Sequence, residues 1–519
     1  MYLLMFAGVV RLLGMYCLPL MDPSESRYAE IARKMVATGD WVTLWSSYGI
    51  PFWAKPPLST WAAATGLSVC GINAFAVRLP TFLVALGVIG LVMSLARSRP
   101  QTELPLLSAL VLLTSTLFYI VSGSVLTDIT LTFGTTLSMV AFWHTMRGAA
   151  PSCWRYLFFV GLAIGFLSKG PIALIFTGVP VFIWGVSQVT LLELWKKVPW
   201  ISGGLLVLIL TVPWFVLAEM RTPGFLEYFF VDEHFKRFLI KGWSGDLYGN
   251  GHPYPKGTIW LFWLGGMFPW SLWGIYLTLS SPRRRGPRPD SFFYLLSNIF
   301  SVSNTKKKVL SLGPRLRGDD KERDGDNKEE SENDGWTFYL LLWTLTPLIF
   351  FTVCSNITMA YPLPAIPAFS LLIAYGYLNI KDTLWKQRAF LGSCLIPPCL
   401  MGIIVSIFLL NPSLFYKFVL SQKEVAESFS PLQKEEKGKL IYWCKGAYSI
   451  EFYSAGQARL VRDIQEFQKA LGEEKDPFIA LDGTGFSQLP QDIRDRLIFI
   501  QKPNARITIY KLNKEELPR

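Results

Sequence analysis

A succession of long apolar runs separated by short charged breaks constrains this chain more than any other feature. Crossing a bilayer as a helix takes about 20 mostly apolar residues. Eleven stretches read as spans: near 2–20, 76–96, 104–122, 127–146, 156–168, 171–189, 199–218, 257–280, 336–354, 359–379 and 389–410. The fifth is short, and the pair around Pro171 leaves a broken helix open. Arg11 interrupts the first run and no small-residue cleavage site follows, so this run reads as a span and not as a signal peptide. Only 17% of the 519 residues are charged and 51% are hydrophobic, whereas soluble domains carry about 25% charge. An ordinary soluble enzyme, a disordered chain and a disulfide scaffold are excluded. The seven cysteines are scattered singly with no CxxC spacing, which points away from cysteine chemistry.

A net charge of +12 would suggest nucleic acid if it lay on one soluble face. Here the basic residues fall in clusters at alternate span boundaries: Arg97 and Arg99; Arg147 and Arg155; Lys196 and Lys197; Arg283, Arg284, Arg285 and Arg288; Lys381, Lys386 and Arg388. Cytoplasmic boundaries collect such residues. The parity puts the loops 21–75 and 219–256 and the tail 411–519 outside, in a multi-pass membrane protein. The segment 281–335 falls inside as a polar, low-complexity insert that cannot bury enough surface to fold. In the tail, strand-like pieces (Leu440 to Cys444, Phe478 to Leu481, Leu497 to Ile500, Ile507 to Tyr510) alternate with an amphipathic stretch, Leu460 to Leu471. This predicts a small α/β domain on the outer face after a transmembrane domain, 1–410.

Ionisable residues at a membrane edge are costly and mark function by default, and here they gather on the expected outer side. Asp22, Glu25, Arg27 and Lys55 lie in the first loop, Asp128 opens the fourth span, Lys169 closes the fifth, and His234 and Arg237 lie in the second long loop. Ser24 or Ser26 can cap a helix with Tyr28, Ile31, Ala32 and Met35 on one face and Arg27, Glu30 and Lys34 on another. It reads as an interfacial helix with Lys34 on its solvated side. Lys55 stands in the rigid run PFWAKPPL, where snorkelling to the interface is the plainer alternative. Lys169-Gly170-Pro171 brings an ammonium to a helix start, a place suited to anions.

The ordered motifs SESRYAEIARKMVATGDWVT, PFWAKPPLSTW, GINAFAVRLP, VLTDITL, FLSKGPIAL, FFVDEHFKRFL and GGMFPWS resemble the C-type (GT-C) glycosyltransferases related to the lipid A aminoarabinose transferases and protein O-mannosyltransferases. The likeness covers roughly 20–410 without the insert. It implies an all-α polytopic membrane fold and transfer of a sugar from a polyprenyl phosphate to a lipid or protein acceptor at the outer, periplasmic face. Residue by residue it implies Asp22 and Glu25 near the acidic pair, Arg27, Lys55, Asp128 and Lys169 at their motif positions, His234 as the motif histidine, and Tyr361 as the tyrosine of the last outer turn. The relatives have adjacent Asp-Glu where this chain has Ser24-Glu25, a glutamate where it has Ala54, and a lysine that Asn356–Pro364 lacks. The missing glutamate would pair with the histidine on a divalent metal, so Ala54 weakens the metal expectation and leaves His234 as its one candidate ligand.

The chemistry also follows from the residues. A phosphate leaving an anomeric carbon gains charge, which Arg27, Lys55, Lys169 and Arg237 can stabilise. A hydroxyl acceptor needs a carboxylate to take its proton, with Asp22 the first expectation and Glu25 the second, and a single displacement predicts inversion. Two alternatives stand beside this reading: a flippase or other transporter of lipid-linked sugars, and an inactive relative that only binds the lipid carrier. The absence of a visible repeat and the one-sided placement of charge weigh against the transporter.

Overall fold

The computed structural model describes residues 1–148, 151–240, 243, 245, 247–248, 252–280, 335–380, 382–436, 438–443, 447–461, 463–474, 476–504 and 506–513. The 281–334 part of the insert, Lys241, Asp246, Lys381 and Cys444 lie outside the described residues. Every one of the eleven apolar runs carries helix. Four helices are long and apolar enough to cross a membrane: Ala74–Ala96, Trp200–Arg221, Trp336–Val353 and Leu384–Leu410. Tyr2–Cys17 and Ile172–Gln188 are shorter apolar helices. Two runs are broken, one into Leu104–Leu113 and Thr116–Val121, the other into Thr258–Gly266 and Trp270–Ser280.

The helices Thr127–Arg147 and Cys153–Lys169 form the central pair, and small residues explain their closeness. A Cβ on Gly134 would lie 2.5 Å from the Gly165 nitrogen, and one on Gly161 would lie 2.6 Å from the Gly134 carbonyl oxygen. Only glycine lets the two backbones meet this way. Ser138 Oγ adds a hydrogen bond across the pair to the Phe158 carbonyl at 2.8 Å. The same packing sets the start of one helix beside the end of the other, and this brings Asp128 to Lys169.

Buried polar contacts fix the ends of the bundle. Arg11 is 4% exposed and donates to the Ile120 carbonyl at 2.6 Å. At one end, Arg99 packs over the Trp336 ring, Lys197 donates to the Met146 carbonyl at 3.0 Å, and Trp184 Nε1 to Gly335 at 2.9 Å. These residues come from three of the basic boundaries and from the end of the insert, so the sequence features assigned to one side do meet. Asp128 and Lys169 stand at the opposite ends of their helices.

The tail holds a five-stranded sheet, order β4-β3-β5-β7-β6, built from β3 (Leu440–Trp443), β4 (Ala458–Val461), β5 (Phe478–Asp482), β6 (Leu497–Gln501) and β7 (Ile507–Leu512). A two-residue and a three-residue strand, β1 (Trp45–Ser47) and β2 (Ile50–Pro51), pair in the first long loop, with β1 the longer. Strand β3 runs parallel to β4 and β5, while β5 with β7 and β7 with β6 are antiparallel. The stretch from Leu460 divides: its first two residues end β4, and the helix Ile464–Glu473 follows, capped by Asp463 at 2.8 Å from the Glu466 nitrogen.

This unit docks on the helix Ser24–Thr38. Lys34, expected on a solvated face, is 1% exposed: Nζ reaches the Ser46 carbonyl at 2.8 Å, Glu451 at 3.1 Å and Glu30 at 3.3 Å. The amphipathic reading failed here because the segment Ser449–Tyr453 covers that face.

Candidate active site

Three segments far apart in the chain deliver their cations to one place. Lys169 Nζ lies 2.5 Å from Asp128 Oδ1 and 4.5 Å from the centroid of the Tyr361 ring. Lys55 Nζ bonds Glu233 Oε1, and Arg237 reaches the same oxygen at 2.6 Å. Glu233 Oε2 is buried without a hydrogen-bond partner among the described residues. Lys55 is held from behind by the Ala54 carbonyl at 2.7 Å. Asn356, in the last outer turn, donates to the carbonyls of Arg237 at 2.5 Å and Ile240 at 3.1 Å.

Burial pushes the Lys55 ammonium below its ordinary range, and the nearby Arg237 and Lys169 add to this against the opposing pull of Glu233. For Glu233, burial alone would raise the carboxyl, but Lys55 and Arg237 together pull it down to about 2. Burial raises the Tyr28 phenol to about 12. The cluster therefore sets three cations against two carboxylates, and its excess single positive charge suits a phosphodiester.

The loop carrying His234 is locked to the end of the helix Cys153–Lys169. His234 Nδ1 faces the Phe229 carbonyl at 2.6 Å and Nε2 the Lys169 carbonyl at 3.0 Å. Ala54 is 4% exposed and offers no ligand atom. With one member apolar and the other turned to backbone oxygens, this pair does not fit a divalent metal, and no group of three or more His, Cys, Asp or Glu suited to one occurs among the described residues.

The remaining expected residues stand in a second cluster. Both oxygens of Glu25 bond Arg78, at 2.7 and 2.8 Å, while Arg78 also donates to the carbonyls of Met15, Leu18 and Pro19. Asp22 accepts from Ser26 Oγ, from Ser449 Oγ, and from the Ser449 nitrogen at 2.9 Å. Burial raises its carboxyl to about 6, against the pull of these hydrogen bonds. Arg27 lies over the Tyr448 ring at 5.0 Å. The structure thus brings Lys55, Asp128, Lys169, His234, Arg237 and Tyr361 together, and gives Asp22, Glu25 and Arg27 partners in the frame and the tail. Glu233 was not singled out by the sequence reading. Its spacing four residues before Arg237 was the available signal.

Comparison with known proteins bears on this arrangement. Residues 12–229 match the family model described as dolichyl-phosphate-mannose-protein mannosyltransferase. The undecaprenyl phosphate-alpha-4-amino-4-deoxy-L-arabinose arabinosyl transferase of Aeromonas hydrophila is 28% identical over 76% of this chain and 63% of its own length. That of Yersinia enterocolitica is 30% identical over 72% of this chain and 58% of its own. The chain thus spans less than two thirds of these curated relatives. The crystal structure of ArnT from Cupriavidus metallidurans bound to undecaprenyl phosphate superimposes with a TM-score of 0.73 at 17% identity, covering 99% of this chain and 98% of that one. The chain resembles the C-type glycosyltransferases. It shares their fold, and with its apolar helices it is a polytopic membrane protein of that architecture.

Proposed function

We propose that this protein transfers a hexosyl or pentosyl group from a polyprenyl phosphate, of the undecaprenyl type, to a lipid or protein acceptor at the outer face of the inner membrane. The convergence of Lys55, Lys169 and Arg237 on two buried carboxylates carries this reading. An incoming phosphodiester takes the place that Glu233 holds between Lys55 and Arg237. As the glycosidic bond breaks, the phosphate gains a second charge in a site of low polarity, where fixed cations are worth most. Attack from the opposite side of the anomeric carbon inverts its configuration.

Asp128 adjoins the cations through Lys169, so we place the carboxylate that takes the acceptor's proton there. Asp22 and Glu25, the carboxylates expected from sequence, hold the frame in this reading. All eleven apolar helical runs cross the membrane in this proposal, and residues 411–519 form an outer-face domain.

Purified protein incubated with radiolabelled polyprenyl phosphate sugars and acceptor-containing membranes tests the reading. Label in the acceptor fraction is the expected result. Donor binding without transfer points to an inactive carrier-binding relative, and donor movement across proteoliposomes without transfer points to a flippase.

A further inference from the structure

The two carboxylates of the cation cluster are held differently. Asp128 and Lys169 pair between two helices whose backbones meet at Gly134, Gly161 and Gly165. Glu233 belongs instead to the segment Tyr228–Lys236, wound as a wide π-helix, a rare form often found at functional sites. Its Oε1 takes both Lys55 and Arg237, the latter at 2.6 Å, while Oε2 is buried without a hydrogen-bond partner among the described residues. A buried acceptor left unpaired costs free energy. Glu233 therefore leaves its two cations at less cost than a carboxylate bonded through both oxygens.

The reaction proposed above changes the charge that these cations face. A polyprenyl phosphate sugar is a phosphodiester with a single negative charge, which balances the single positive excess of the cluster. When the bond to the anomeric carbon breaks, its electron pair stays on the phosphate oxygen. The spent carrier is then a phosphomonoester with about two negative charges at pH 7. Cations alone would hold this product more tightly than the donor, because attraction grows with charge and is strong where little water enters. The side chains of Lys55, Arg237 and Glu233 are only 13%, 18% and 5% exposed, so water screens them little. With Glu233 close by, the second charge of the product meets a carboxylate as well as the cations. The cluster then carries a net negative charge, which burial disfavours.

We propose that Glu233 releases the spent carrier: it gives up Lys55 and Arg237 to the phosphodiester of the donor, and after transfer it takes them back from the polyprenyl phosphate. The inference rests on the transfer reading and adds how its cycle closes. Product release limits many enzymes, and here one displaceable carboxylate turns the site's preference from the product toward the donor.

Binding to the full chain in lipid nanodiscs tests this at about pH 7.5, where a phosphomonoester is doubly charged. The probes are undecaprenyl phosphate, a monoester, and its methyl ester, a diester. The unaltered protein is expected to bind the monoester no more tightly than the diester, despite the larger charge. Glu233→Gln should shift this ratio toward the monoester by about tenfold or more, the scale of one charge-assisted hydrogen bond, and slow its dissociation to match. Glu233→Asp keeps the charge and should keep the ratio within about threefold of the unaltered protein, a distinction between charge and shape that a merely structural role would not produce. Monoester binding at least tenfold tighter than diester binding in the unaltered protein overturns the inference, whether or not the glutamine variant folds. An unchanged ratio in folded Glu233→Gln also overturns it and leaves the transfer reading standing. Failure of both probes to bind the unaltered protein overturns the transfer reading and this inference with it.

Discussion

Lys34 Nζ lies 3.1 Å from Glu451 Oε2, joining the first loop helix to a residue 417 positions later. Side-chain exposure is 1% for Lys34 and 12% for Glu451, so solvent screens the pair little. Glu30 completes the group by pairing with both Lys34 and Arg33.

Removing one partner of a buried ion pair costs about 3–5 kcal/mol because the other charge stays buried alone. Lys34→Ala should therefore lower the unfolding temperature and make the tail easier to cleave from the membrane part by limited proteolysis. A variant with unchanged melting and proteolysis would mean that this contact contributes nothing to docking.

Asp22 makes the same junction sensitive to pH. Its carboxyl, raised to about 6 from an ordinary value near 3.9, binds a proton more readily in the folded protein than in the unfolded chain. Stability from this group is thus fully present below the unfolded value and declines as pH rises toward 6. Thermal unfolding across pH 4 to 7 should show a fall that Asp22→Asn reduces. An identical slope in the variant would refute this assignment.

How much of this was legible in the sequence differs by region. The apolar runs and alternating basic boundaries gave the helices because both signals are local. The convergence of Lys55, Lys169 and Arg237 followed from sidedness and motifs. The fate of Lys34 was hidden, since amphipathicity within one helix carries no information about a covering segment from the tail. The partners of Asp22 and Glu25 were hidden for a related reason: nothing local in the sequence shows that Ser449 and Arg78 stand beside them. Strand β4 was missed because Arg459 interrupts the short stretch Ala458–Val461, in which only the two end residues are buried.

Within the cation cluster, Lys55→Ala and Lys169→Ala each remove a charge that, in the proposed reaction, faces the leaving phosphate. Each should reduce turnover by about 10²-fold or more, the scale of losing one electrostatic stabiliser. Lys502→Ala, exposed in the tail, should leave turnover unchanged. Single-turnover rates at saturating donor check this separately from binding, and rates within a few-fold of the unaltered protein for both site variants would sink the active-site reading.

Gly170 ties the Lys169 backbone to the His234 loop. Its φ is +79° with ψ −150°, a region open essentially to glycine, and an added Cβ would stand 2.7 Å from Phe229 Cζ and 2.9 Å from His234 Nε2. Gly170→Ala should destabilise by about 1–3 kcal/mol from backbone strain, and displace Lys169 enough to lower turnover. Gly178→Ala, with nothing within 4 Å of the added atom, is the matched control. Equal melting temperatures for the two variants would contradict the strain argument.

Two native cysteines test which side the site faces. Cys70 ends the helix Leu58–Cys70 and Cys153 begins the helix Cys153–Lys169, and both are exposed. The alternating basic boundaries place Cys70 with the outer loop and Cys153 beside Arg147 and Arg155 on the inner side. Lys169, at the other end of the Cys153 helix, meets Asp128 in the cation cluster, so the orientation of that one helix fixes the side on which the cluster lies. In intact spheroplasts, a membrane-impermeant maleimide should label a variant retaining only Cys70, while a variant retaining only Cys153 should label only after the membrane is opened. The reverse pattern would put the cation cluster on the cytoplasmic side, and with it any donor phosphate that the cluster binds.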